Sequence, residues 1–428
     1  MNPFIRFSLL VEAIDCYLYC GYLFIVMNDG RLLNVSYHFL VNQLKARYPE
    51  YSSLIELVFL HNEYAKSDAA KIILGVSEIN DAFKNVWKRA ADEISFELYF
   101  EDISDECNII DEYSSMPLDM RAYGGRLFVG CRHGLYESKL NLDGSFRIQP
   151  SKLSKCFDGK VIGLNSRNGI VVVSADWDGL LTGELFDFAT DFKLDERKPI
   201  EKRSLRTGWM SSDIINYDGS SSFAYIYNEC SDRVSNVDNK FYSTTQIREK
   251  KVISQFAKAV YGMDELFSKT KIKQSDILYS FNSSEKGFFV KTDGNIVNAT
   301  IREGKVDDEY YISSRVQPFS DKLHIKEKPL SSCIVSKGCV LEFFDKVELV
   351  QNHKTCILCD HPVNSMRSYL NSNNYRDILT IVDDDSITFN AIYSWDLIKN
   401  TPAFPKPKNV LLNTVPIGEN NDNTELPF

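Results

Sequence analysis

The chain has no long apolar run. The longest unbroken one, Tyr17–Met27, contains 11 residues and is itself interrupted by Gly21. A membrane span takes about 20 apolar residues, so this stretch reads as strand, turn, strand. Met1–Ile14 lacks the charged leader and continuous apolar core of a secretory signal, because Arg6 sits inside its apolar part. A soluble, cytoplasmic protein is expected. The 10 cysteines have no framework spacing, which predicts reduced thiols rather than disulfides. Catalytic signatures are also missing: no Gly-x-Ser-x-Gly elbow, His-Glu-x-x-His pair or phosphate-cradling glycine loop occurs. Basic excess is absent too. With 49 Lys and Arg against 59 Asp and Glu, the net charge is −10, which excludes a generic polyanion binder.

A degenerate repeated module is what the chain does have. A short apolar run is followed by a Gly/Asn/Asp turn, an aromatic and β-branched run, a second turn and a third run. Val161–Leu185 shows it best: VIGL, NSRNG, IVVVSA, DWDG, LLTGEL. Copies begin near Ile14, Met120, Val161, Ile214, Ile277, Cys333 and Ile378. Asn-Asp-Gly, Asp-Gly and Lys-Gly turns supply the positive φ that tight hairpins need. Such a unit cannot bury both its faces alone, so copies must stack. The spacing fits the about 40–50 residues of a propeller blade, except that the first interval is roughly doubled.

Residues 39–94 account for the doubling. Ile79, Ala82, Phe83, Val86, Trp87, Ala90, Ala91 and Ile94 fall on one helical face, with Ser77 as the expected N-cap. Shorter helices are expected in Ser52–Tyr64 and Asp68–Gly75. Ser95–Phe100 is expected to supply the fourth strand of the first blade, Asn409–Val415 a third strand of the last, and Phe4–Val11 the strand that closes the ring. The expected organisation is residues 1–38 as closing strand and start of the first blade, 39–94 as helical insertion, 95–415 as the remaining blades and 416–428 as a disordered tail.

The pattern resembles the seven-bladed β-propeller class, mainly β with about seven four-stranded blades, and matches no particular propeller family. Trp177–Asp178 is similar to a WD dipeptide, Gly124–Gly125 to a kelch pair and Ser174–Gly179 to an Asp box, but each sits at the wrong place or spacing for its family. Two packed β-sandwiches flanking a helical hairpin are the structural alternative.

Three kinds of chemistry are open to the polar residues. His353, Cys356, Cys359 and His361 make a ligand set on paper for zinc, although on a regular strand the two cysteines would point to opposite faces. Arg197, Lys198, Lys202, Arg203 and Arg206, with Arg248, Lys250 and Lys251, and further lysines at 269–273 and 322–328, lie between modules; a basic rim there would suit nucleic acid, while solvated loop charge is the plainer account. Asp383–Asp385 and His133 are the polar candidates for a channel-centred hydrolase, against a simple polar turn. The leading expectation is a non-catalytic protein-interaction scaffold, a subunit of a multiprotein complex. It docks protein partners through the helical insertion, at Leu54, Leu57, Val58 and Phe59, and through rim loops. No membrane partner is expected.

Overall fold

Tight turns cut the chain into short strands, and the strands assemble into a β-propeller. The computed structural model describes residues 4–60, 76–113, 115–142, 148–167, 169–185, 192–195, 199–210, 213–218, 223–230, 254–261, 263–283, 286–306, 309–320, 325, 327–336, 338–351 and 354–392. Their strands fall into seven sheets. The first holds Ala13–Tyr19, Tyr22–Met27, Arg31–Ser36 and Asn108–Glu112. The second begins with Pro117–Tyr123, Arg126–Cys131 and Gly134–Leu142, and the third with Gly163–Arg167, Ile170–Ser174 and Leu180–Glu184. The fourth begins with Arg206–Met210 and Asp213–Tyr217, and the fifth with Ile277–Asn282 and Gly287–Lys291. The sixth runs Ser331–Val335, Gly338–Glu342, Val347–Gln351, Lys354–Cys359. The terminal sheet runs Ser365–Ser368, Ile378–Val382, Ser386–Ile392, Phe4–Leu10, Phe96–Tyr99.

Apolar layers lie between successive sheets, and this is why the modules stack. Phe128 and Leu135 of the second sheet meet Val171 and Val173 of the third. Phe281 and Phe288 of the fifth meet Cys339 and Leu341 of the sixth, and Val340 and Leu349 of the sixth meet Leu379 and Ile381 of the terminal sheet. Each such side chain contributes about 1.5–3 kcal/mol by leaving water. The first strands of neighbouring sheets touch in sequence, and Ser365–Ser368 touches both Ser331–Val335 and Ala13–Tyr19.

The two ends of the described chain meet. Phe4–Leu10 pairs antiparallel with Ser386–Ile392, and Phe7 stacks on Phe389 at 4.5 Å. The expected place of Ser95–Phe100 is corrected here. Phe96–Tyr99 pairs parallel with Phe7–Leu10 as the outermost strand of the terminal sheet, and Asn108–Glu112 is the fourth strand of the first. The cause is Phe96, whose buried ring takes the edges of Tyr48 and Tyr51 at 5.0 and 5.5 Å and so belongs under the helices.

Between Arg31–Ser36 and Asn108–Glu112 the chain is helical for most of its described length. Helix α1 spans Tyr37–Arg47, an element not singled out in the sequence; Ser36 caps it by accepting from the Phe39 amide. One α-turn, Ser52–Ile55, passes into a π-helical stretch, Glu56–Leu60. Helix α2 spans Ser77–Asp92; its N-cap is Val76 rather than Ser77, whose hydroxyl instead donates to Glu78. Trp87 and Ala90 bury the C-terminal half of the expected stripe, while Ile79 and Val86 stay exposed. Asp68–Gly75 and Asn409–Val415 lie outside the described residues.

Candidate functional site

The first strand of each sheet faces the ring's centre, and these strands carry polar side chains that tie neighbour to neighbour. Arg367 is the hub. Its Nε donates to Asp15 at 2.8 Å, and its Nη2 donates to both Asp15 and, at 2.8 Å, Asp119. One guanidinium thus joins the terminal, first and second sheets. The two carboxylates outweigh the cost of burying it and hold its pKa above the ordinary arginine value. Both acids are further engaged: Asp15 accepts from the Cys16 amide, and Asp119 accepts from the amides of Met120 and, at 2.6 Å, Leu164 on the third sheet.

The linkage continues around the centre. Arg121 donates to Ser166, and Asn165 donates to the Thr207 carbonyl. Arg206 donates to Tyr279 Oη and the Ser280 carbonyl, and its guanidinium lies 4.1 Å from the Tyr217 ring centroid. Tyr279 meets Ser332 at 3.3 Å. A second device recurs at the hairpin turns: Gly125 N–H donates to Tyr19 Oη, Gly169 N–H to Tyr123 Oη and Gly21 N–H to Tyr375 Oη. The chemistry of this belt is mutual neutralisation. Asp15 and Asp119 are engaged by a guanidinium and by backbone amides, an arrangement that holds strands in place.

The residues singled out in the sequence are scattered. Leu54, Val58 and Phe59 are buried, with Phe59 edge-on to Phe7 at 4.8 Å, and only Leu57 is partly exposed. Leu54, Val58 and Phe59 thus belong to the core that they share with the terminal sheet, and of the four expected at a partner face Leu57 alone reaches solvent. Among the basic candidates, Lys202 is exposed, but Arg203 lies 4.1 Å over the Trp177 ring and Arg206 belongs to the central belt. Arg197, Lys198, Arg248, Lys250 and Lys251 lie outside the described residues, as does His353. Lys269, Lys271, Lys273 and Lys328 are exposed.

Cys356 and Cys359 do not face opposite sides as alternation predicts. A register shift opposite Val347 and Glu348 turns both toward the apolar layer between the sixth and terminal sheets. Burial pushes both thiols up, which disfavours the thiolate that zinc takes. His361 instead binds carboxylates, with Nε2 3.2 Å from Asp383 and Nδ1 3.3 Å from Asp360. Among the described residues no group of three or more His, Cys, Asp or Glu is placed to hold a metal. Asp383 accepts from the amides of Asp385 and Ser386 and from the Ser386 hydroxyl, so it builds its turn. His133 occupies an exposed turn.

No protein-family profile matches the chain. No curated protein matches it either. Among solved structures it is similar to the β-propeller domain of Myceliophteria thermophila Cps50 (Swd1), with 7% identity, 91% of this chain and 99% of that one covered, and a TM-score of 0.48. A chain of the mitotic checkpoint complex gives 8%, 92%, 93% and 0.45, and the computationally designed Ika8 protein 8%, 90%, 98% and 0.42. Likeness of this degree concerns chain shape alone. No helix among the described residues is long and apolar enough to cross a membrane.

Proposed function

We propose that the protein is a non-catalytic interaction scaffold and a subunit of a multiprotein complex. In this reading its seven sheets are seven blades, and the helical segment is an insertion in the first. The observation that supports it is the Arg367–Asp15–Asp119 cluster: these charged groups join sheets to one another, as in a rigid body that presents its rims. Partner contact moves from Leu54, Val58 and Phe59 to side chains that reach solvent, such as Ile79 and Val86 on α2 and the hairpin tips. The test is the native mass of the tagged protein in its cell of origin. A scaffold runs in an assembly several times its 49.0 kDa, with defined stoichiometry. A monomer at every salt concentration tested overturns the proposal.

A further inference from the structure

Several large apolar side chains left in water lie at one end of the sheets. In a four-stranded antiparallel meander, the turn between the second and third strands and the link into the next first strand emerge together. Trp177 and Phe344 sit in such turns, and Met116 and Leu330 in such links, with Leu118 two residues further on. Phe344, at 78% exposure, is the most open of them.

The fold does not require a phenylalanine there. The turn is closed by the Phe343 amide, which donates to the Lys346 carbonyl at 2.7 Å. Phe343 supplies its buried side chain, with the Lys346 ammonium 5.4 Å from the ring. Asn, Asp or Gly would serve at the Phe344 position. Leu330 stands at the foot of the same hairpin, its amide donating to Glu342, and is 59% exposed. Two apolar groups therefore project from a fixed turn, and holding them costs a partner little conformational entropy.

Carboxylates flank this corner. Cys359 pairs with Val347, which places Asp360 and His361 just past the tip strand, and His361 bridges to Asp383 in the turn of the terminal sheet. Glu327, Asp345, Asp360, Asp384 and Asp385 are exposed here. Of the cations among the described residues here, Lys346 is held by Glu348 at 2.8 Å, His361 lies between two aspartates and Arg6 donates to the Leu358 carbonyl at 3.1 Å, while Lys328 is exposed. A negative field around an apolar point repels nucleic acid and attracts a cationic chain.

We propose that the Phe344–Leu330 corner docks a basic protein segment that carries an apolar side chain beside its Lys or Arg residues. This rests on the scaffold reading and names the partner's chemistry. The test places p-benzoylphenylalanine at position 344 of the full chain, irradiates the cells of origin and sequences the captured peptide. The expected peptide has Lys or Arg within a few residues of the cross-link, and its yield falls at least fivefold in the D345K/D384K background. Capture of an acidic segment or of nucleic acid, or a yield indifferent to the added lysines, overturns it. A protein that runs in a large assembly yet gives no cross-link from position 344 sinks the docking site alone; one that runs as a monomer sinks the scaffold reading as well.

Discussion

Arg367 shows how much one side chain can organise. It is mostly buried and faces two carboxylates on different sheets. Replacing it with Met leaves Asp15 and Asp119 close together, without their shared cation. Removing one partner of a buried pair costs about 3–5 kcal/mol. Arg367→Met should therefore lower the unfolding free energy by that amount, read as a lower urea midpoint at an unchanged m-value, and Asp119→Asn should lower it less, since Asp15 keeps its hold. His361 makes a smaller, pH-dependent contribution. Its hydrogen bond to Asp383, opposed by partial burial and aided by Asp360, raises its pKa above 6.5. A raised folded pKa means stabilisation that is fully present below the unfolded value and lost as pH rises through the folded one. With the ring about half exposed, solvent screening limits this to about 0.2–1 kcal/mol. The proton NMR titration midpoint of His361 should exceed 6.5 and fall in Asp383→Asn; an unchanged midpoint in that variant would assign the shift elsewhere.

At the scale of elements, the hairpin tips and five of the seven first strands are legible in the sequence, and two first strands are hidden. Ile14, Met120, Val161, Ile277 and Cys333 lie in or within two residues of the first strands of their sheets. Ile214 and Ile378 lie in second strands, because Arg206–Met210 and Ser365–Ser368 precede them. Those two strands are hidden for a physical reason: RTGWM and SMRS carry Arg206 and Arg367 of the central belt and show no apolar run. Phe96–Tyr99 reads as a strand, but no local pattern states that its neighbour is Phe4–Leu10. The exposure of Phe344 is equally silent in sequence, where Phe343 and Phe344 are indistinguishable. Turns themselves make a sharp prediction. Gly179 has φ +97°, and a Cβ there would lie 2.2 Å from the Glu201 carbonyl oxygen, whereas Gly21 has φ +85° and open space around it. Gly179→Ala should cost about 1–3 kcal/mol and Gly21→Ala about 1, read as a larger fall in Tm for the former.

For the molecule as a whole, the junction between the first and last described strands is decisive. Phe4–Leu10 lies between Ser386–Ile392 and Phe96–Tyr99, and Phe7 is fully buried among Phe59 and Phe389. Deleting residues 1–10 detaches Phe96–Tyr99 from the terminal sheet and leaves Ser386–Ile392 paired on one side only, with its other edge open to other chains. The shortened protein should lose its single cooperative unfolding transition and elute as soluble oligomers on size exclusion. A sharp transition from a monomer would show that the terminal sheet stands without its N-terminal strand.

The parallel pairing of Phe96–Tyr99 with Phe7–Leu10 also bears on synthesis. Residue 392 leaves the ribosome long after residue 10, at about 5–20 residues per second. During that wait Phe4–Leu10 has its parallel partner, Phe96–Tyr99, and the rings of Phe59 and Phe96 within the same hundred residues. A nascent chain that has formed this pair carries its adhesive edge half sheathed, and the side kept open is the one that Ser386–Ile392 fills.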